Sequence, residues 1–142
     1  MRGIWRRMAL AAVVLTAGCG SLDPSDITGS YQAVQFRIEL NGVVTDMLGR
    51  GASVDLDVNP DGTLGGRLVV PAVGGVQLFP IDAATTGTYT IHSSDVLLFN
   101  YRSPSGYLDE LRFTANPPQL NAYVVIQRSG EAGSFTLTLR RQ

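Results

Sequence analysis

The sequence predicts an all-β domain: eight antiparallel strands wound up and down into a barrel, after an N-terminal signal helix. Three observations carry this expectation. After Gly29 the chain is dominated by β-branched and aromatic residues in short alternating runs, the runs are separated by turn residues, and short and long links alternate strictly. With 142 residues, 44% of them hydrophobic and 16% charged, there is room for one folded domain and no case for a disordered chain.

The first element is an export signal over residues 1–18. Arg2, Arg6 and Arg7 form a positive start, and Met8 to Gly18 is an uncharged apolar run. As a helix that run covers roughly 16 Å against roughly 30 Å of hydrocarbon, too little to span a bilayer. It ends Leu15-Thr16-Ala17-Gly18-Cys19, which resembles the lipobox of bacterial lipoproteins, with Thr16 where Leu is usual and Leu15 one place earlier. The resemblance covers residues 1–19. It implies cleavage before Cys19 and a diacylglyceryl group on its thiol, so that the partner of this end is a membrane. Gly20 after the Cys implies sorting to the outer membrane, facing the periplasm. The alternative is an ordinary signal peptide with an incidental cysteine. Cleavage leaves 124 residues with 8 Arg against 12 Asp and Glu, a net charge of −4 and no electrostatic reason to bind nucleic acid.

Residues 19–28 then read as a polar, lipid-anchored tether and 29–142 as the barrel domain. Strands are expected at about 30–40, 52–58, 63–70, 85–91, 95–101, 109–115, 119–127 and 133–141. The clearest alternations are Val54, Leu56, Val58 and Phe135, Leu137, Leu139, each interleaved with polar residues. Asn59-Pro60-Asp61-Gly62, His92-Ser93-Ser94 and Asn116-Pro117-Pro118 are tight turns at one end. The links 41–51, 71–84, 102–108 and 128–132 crown the other. Closure into a barrel removes the edges that a flat eight-stranded sheet exposes. The tether should leave the tightly closed end, so the mouth faces away from the membrane.

Gly29-Ser30-Tyr31 at the start of the first strand, with Arg140 or Arg141 near the end of the last, resembles the lipocalin-like (calycin) barrels. In that superfamily Gly-x-Trp opens strand one and a late Arg packs across the ring at the closed end. The resemblance implies a plug of Tyr31 and Arg140. Tyr31 is out of phase with Val34, Phe36, Ile38 and Leu40, so either a bulge lies between Tyr31 and Val34 or Tyr31 is not the plug.

The residue inventory narrows the chemistry. All 11 basic residues are Arg, and His92 and Cys19 are single. This excludes a P-loop lysine, a Schiff-base lysine, a Ser-Lys dyad, an internal disulfide and a multi-cysteine zinc site. His92 with Ser93, Ser94 and Asp95 sits in one tight turn away from any mouth, and reads as turn filling, not a triad. Asp57-Val58-Asn59-Pro60-Asp61-Gly62 opens like a calcium loop, but Leu68 stands at the twelfth position, so a hairpin is expected. Asp55 with Asp57, and Asp109 with Glu110, read as solvated surface charge. No catalytic residue, metal or cofactor is expected.

The apolar content of the long links points to a rim for a ligand or partner: Met47 and Leu48, Val76, Leu78 and Phe79, and Tyr107. The 71–84 link is alternatively a short extra strand or a loop folded back over the core. Small inward residues at Gly66, Gly87 and Ala122 leave room for a ligand that Tyr89, Asn100 or Gln127 would orient. The expected function is a non-catalytic lipoprotein whose barrel binds a small apolar molecule; the alternative is a filled barrel serving as an envelope protein-interaction module.

Overall fold

The computed structural model describes residues 22–76, 79–92, 96–101, 111–128 and 130–142, with the backbone alone at 96–101 and Arg128. The chain is all-β. Among the described residues, ten strands make one antiparallel sheet: β1 (Gly29–Leu40), β2 (Val43–Asp46), β3 (Ser53–Val58), β4 (Thr63–Val70), β5 (Ile81–Ala84), β6 (Gly87–Ile91), β7 (Val96–Tyr101), β8 (Arg112–Asn116), β9 (Gln119–Arg128) and β10 (Glu131–Arg141). Their order is β10-β9-β8-β7-β6-β4-β3-β1-β2, with β5 beside β4 and β10 also paired to β1. One helical turn, α1 (Pro24–Ile27), and one 3-10 turn, Leu48–Arg50, complete the described structure.

Each of the eight expected strands has a counterpart, and two short strands are additional. β2 lies in the 41–51 link and folds back on β1 through Asn41 and Gly42, both with positive φ (50° and 79°). That is the backbone a two-residue hairpin demands, and Asn-Gly meets the demand at little steric cost. β5 lies in the 71–84 link and pairs Ile81–Ala84 with Val70–Arg67 of β4. The β4–β6 pairing, Leu64 with Gly87, continues the same register, so β5 and β6 are one line of chain interrupted at Thr85 and Thr86.

β1 contains the bulge that its phase conflict required. Its register against β10 shifts between Ala33 and Gln35, and Val34 is thrown to the exposed side. Tyr31 and Phe36 thereby share the buried face despite their odd spacing. One strand so serves two patterns, and its two halves also take different neighbours: Gly29–Gln32 pair with β3, and Arg37–Leu40 with β2.

Fully buried side chains come from every strand whose side chains are described except the short β2 and β5. Tyr31, Val58, Leu68, Leu120, Leu137 and Leu139 are almost wholly withdrawn from solvent, and Phe36 meets Phe135 edge-on at 5.3 Å between ring centroids. Such T-shaped contact adds roughly 0.5–1.5 kcal/mol to the burial of the two rings. The opposite face carries the polar residues of the same strands, among them Asp55, Asp57, Arg67 and Thr136.

Candidate functional site

The two ends of the sheet differ in chemistry. At the end where β1 begins, the chain expected as a free tether folds onto the domain from Asp23. Asp23 caps α1, accepting a bond from the Ser25 amide, while the Asp26 side chain accepts from the Asp23 amide. This reciprocal pair satisfies donors that a helix start leaves open. The turn brings Ile27 to complete burial, with Leu22 packed against the core.

Tyr31 holds this turn from below. Its hydroxyl donates to the Ile27 carbonyl at 2.7 Å, and its ring lies under the Arg141 guanidinium, 5.8 Å from Arg141 Cζ to the centroid. Arg141 Nη2 donates to the Asp26 carbonyl. Burial pushes the Tyr31 phenol above its ordinary value, opposed by the positive charge of Arg141. The expected partner, Arg140, is corrected here. It pairs with Gln32 and is exposed, because Phe135, Leu137 and Leu139 set the buried phase of β10 and Arg141, two beyond Leu139, continues it.

Tight turns close the same end. Asn59 accepts from Gly62 and donates to the Thr63 carbonyl, and Asp61 Oδ1 accepts from the amide and the hydroxyl of Thr63 at 2.9 and 2.6 Å. Those two bonds hold the Asp61 carboxyl below its usual range. Asp57 accepts from the Ser30 hydroxyl at 2.6 Å. The segment is thus a β3–β4 hairpin whose carboxylates are engaged within it. Tyr89, expected to orient a ligand, instead donates its hydroxyl to the Asn59 carbonyl at 2.8 Å. His92 follows β6 here and is exposed; Ser93, Ser94, Asp95, Asp109 and Glu110 lie outside the described residues.

At the opposite end apolar groups reach the surface. Val43 is 67% exposed and Val124 36%, and Leu40, Val73, Val76, Ile81 and Ile126 are half-buried against the core. Of the expected rim residues, Leu48 and Val76 are partly buried in this way and Phe79 is 75% exposed. Met47 is a correction: it is completely buried. Its amide donates to the Phe36 carbonyl at 2.9 Å and it starts the 3-10 turn, beside the stretch of β1 that lies between its pairings with β3 and β2. Leu78 and Tyr107 lie outside the described residues. Gln127 is exposed, and the backbone of Asn100 pairs with that of Thr88.

Two residues that sequence reasoning passed over lie on the buried face between these ends. Ala83 is half-buried, and Thr85, 3% exposed, has a hydroxyl without a hydrogen-bond partner. Both share the odd-numbered phase of Tyr89, and that phase was the available signal. The ionic chemistry is on the other face: Arg67 and Asp82 form a bidentate pair at 2.7–2.8 Å, which lowers the Asp82 carboxyl and is well exposed. Among the described residues no three His, Cys, Asp or Glu side chains gather as a metal site would need. A search of protein-family models, curated proteins and solved structures finds no match to the chain.

Proposed function

We propose that the chain is a non-catalytic lipoprotein of the cell envelope, anchored through acylated Cys19, whose long strands close into a lipocalin-like barrel. The barrel takes a small apolar ligand at the end remote from the anchor. The observation that carries this reading is the contrast between the ends. One is sealed by α1, Tyr31, Arg141 and the β3–β4 turn, while the other presents partly exposed Val43, Val73, Val76 and Val124 beside a buried apolar face. Apolar burial is the available driving force there, at roughly 25 cal/mol per Å² removed from water.

Closure is supported by the pairing of β10 with β1 over Tyr31–Leu40, which leads a path through β3, β4, β6, β7, β8 and β9 back to its start. The non-catalytic reading is supported by the chain's lack of lysine and by the exposed position of its one histidine at the sealed end. Placement in the outer membrane, mouth toward the periplasm, follows the lipobox resemblance together with the departure of the tether from the sealed end.

A second reading, an interaction module for another envelope protein, is favoured by Tyr123 and Val125, exposed neighbours on the outer face of β9. One experiment separates the two. The full chain is recovered from its membrane into an amphipathic polymer, and bound molecules are extracted for mass spectrometry. The ligand reading expects one class of small apolar molecule near one per chain. Recovery of none, with a protein cross-linked at Tyr123 instead, contradicts it. Loss of radiolabelled palmitate in Cys19→Ser tests the anchor separately.

A further inference from the structure

Thr85 is the single polar residue among the described buried ones whose side chain has no partner. The other buried hydroxyls, of Tyr31 and Tyr89, each donate to a backbone carbonyl. A buried hydroxyl left unmade is costly, so it calls for a partner such as an ordered water or a bound guest.

Its neighbours on the buried face are small and only partly buried. Thr85 continues the β4 register opposite Gly66, its amide donating to the Gly66 carbonyl at 3.0 Å, and Ala83 and Gly87 flank it on the same buried face. Gly66 has φ +127°, and a Cβ there would stand 2.9 Å from Thr85 Oγ1 and 2.1 Å from the Asp55 carbonyl oxygen. The hydroxyl and the Asp55 carbonyl therefore crowd the α-carbon of Gly66, where no side chain fits. Gly66, Ala83 and Gly87 carry almost no bulk, set between the buried side chains of Leu64, Leu68 and Tyr89.

We infer that this wall of β4, β5 and β6 is the ligand subsite, and that Thr85 Oγ1 binds the one neutral oxygen of an otherwise apolar molecule, such as an alcohol, ketone or ester. The inference rests on the ligand reading above and adds the chemical class. A carboxylate is disfavoured because the charges nearest in register, Asp55, Arg67 and Asp82, are not on the buried face. An ion on that face would have neither water nor counter-charge. A hydroxyl can donate to a carbonyl oxygen and both donate to and accept from an alcohol, so it serves all three.

The test uses the full chain in an amphipathic polymer, with 1-hexanol and 1-fluorohexane as a pair matched in shape. Binding is followed at the carbon-13 methyl of Ala83, and each affinity is referred to the probe's own transfer into hexadecane. On that scale wild type should bind 1-hexanol about tenfold more tightly than 1-fluorohexane. Thr85→Val, which keeps the shape, should abolish the preference, and Thr85→Ser should keep it. Equal affinities in wild type, as an undisplaced ordered water on Thr85 would give, overturn the inference and leave the ligand reading standing. So does a preference that survives in Thr85→Val. If neither probe moves Ala83, both readings fall. The wild-type comparison needs no variant, so it decides even if Thr85→Val does not fold.

Discussion

The sealed end and the opposite end of this sheet belong to the same strands yet hold themselves differently. At the sealed end every buried polar group named above except Arg141 Nε has a bond: Tyr31 to Ile27, Tyr89 to Asn59, Arg141 Nη2 to Asp26. At the open end Val43, Phe79 and Val124 meet solvent with burial incomplete. The difference teaches where the fold draws its stability, and the proposed binding is assigned to the other end. Directional bonds and full burial stabilise the fold at one end, and at the other apolar surface stays partly exposed to solvent.

The largest test of that division is Tyr31→Ala. Removing a fully buried ring and its bond to Ile27 should cost about 3–5 kcal/mol in denaturant unfolding. Val43→Ser should stay within about 0.5 kcal/mol. Comparable losses at the two ends would break the comparison.

Arg141→Ala comes next, at roughly 1–3 kcal/mol from the lost bond to Asp26 and the lost cation over Tyr31. Amide exchange at Thr28, bonded to the Pro24 carbonyl, should accelerate as α1 loosens. Arg140→Ala should change neither. The pairing also has an alkaline signature. Because the folded state raises the Tyr31 phenol above 10.0, its contribution is fully present below about pH 10 and is lost as pH rises through the higher folded value. Tyr31→Phe should flatten that fall in part, since Tyr89 is raised too by its burial.

Thr85→Val should act in the opposite direction, stabilising the empty protein by about 1 kcal/mol as an unpaired buried hydroxyl is removed. The smallest effect belongs to Asp61. Its carboxyl is lowered from 3.8 by Thr63, so its contribution is present above about pH 4 and is lost as pH falls through the lower folded value. Asp61→Asn should lose that acid slope.

Much of this architecture can be read from residue alternation, and the shortfalls are instructive. The long strands follow from two-residue periodicity because each buries one face, and the Tyr31 phase conflict already demanded a bulge. Arg141 instead of Arg140 was within reach of the same rule, since position 141 shares the parity of Leu137 and Leu139. β2 was signalled by Asn41-Gly42, the strongest short hairpin sign, but its four residues are too few to show a period of their own. Met47 is different: a single turn of 3-10 helix sends it inward, and no repeat announces such a turn. α1 was hidden because its one buried residue, Ile27, stands in a polar stretch. Thr85 was missed because a threonine in a strand is ordinarily satisfied, and only the geometry over Gly66 leaves its hydroxyl alone.

The central claim is that ligand enters the end remote from the anchor while the sealed end stays shut. The most direct measurement is methyl chemical-shift mapping of the full chain as 1-hexanol is added. The account predicts shifts at Val43, Val73, Val76, Ala83 and Val124, with Ile27 and Leu139 unmoved. Shifts concentrated at Ile27 and Leu139, or none at any methyl, would contradict it.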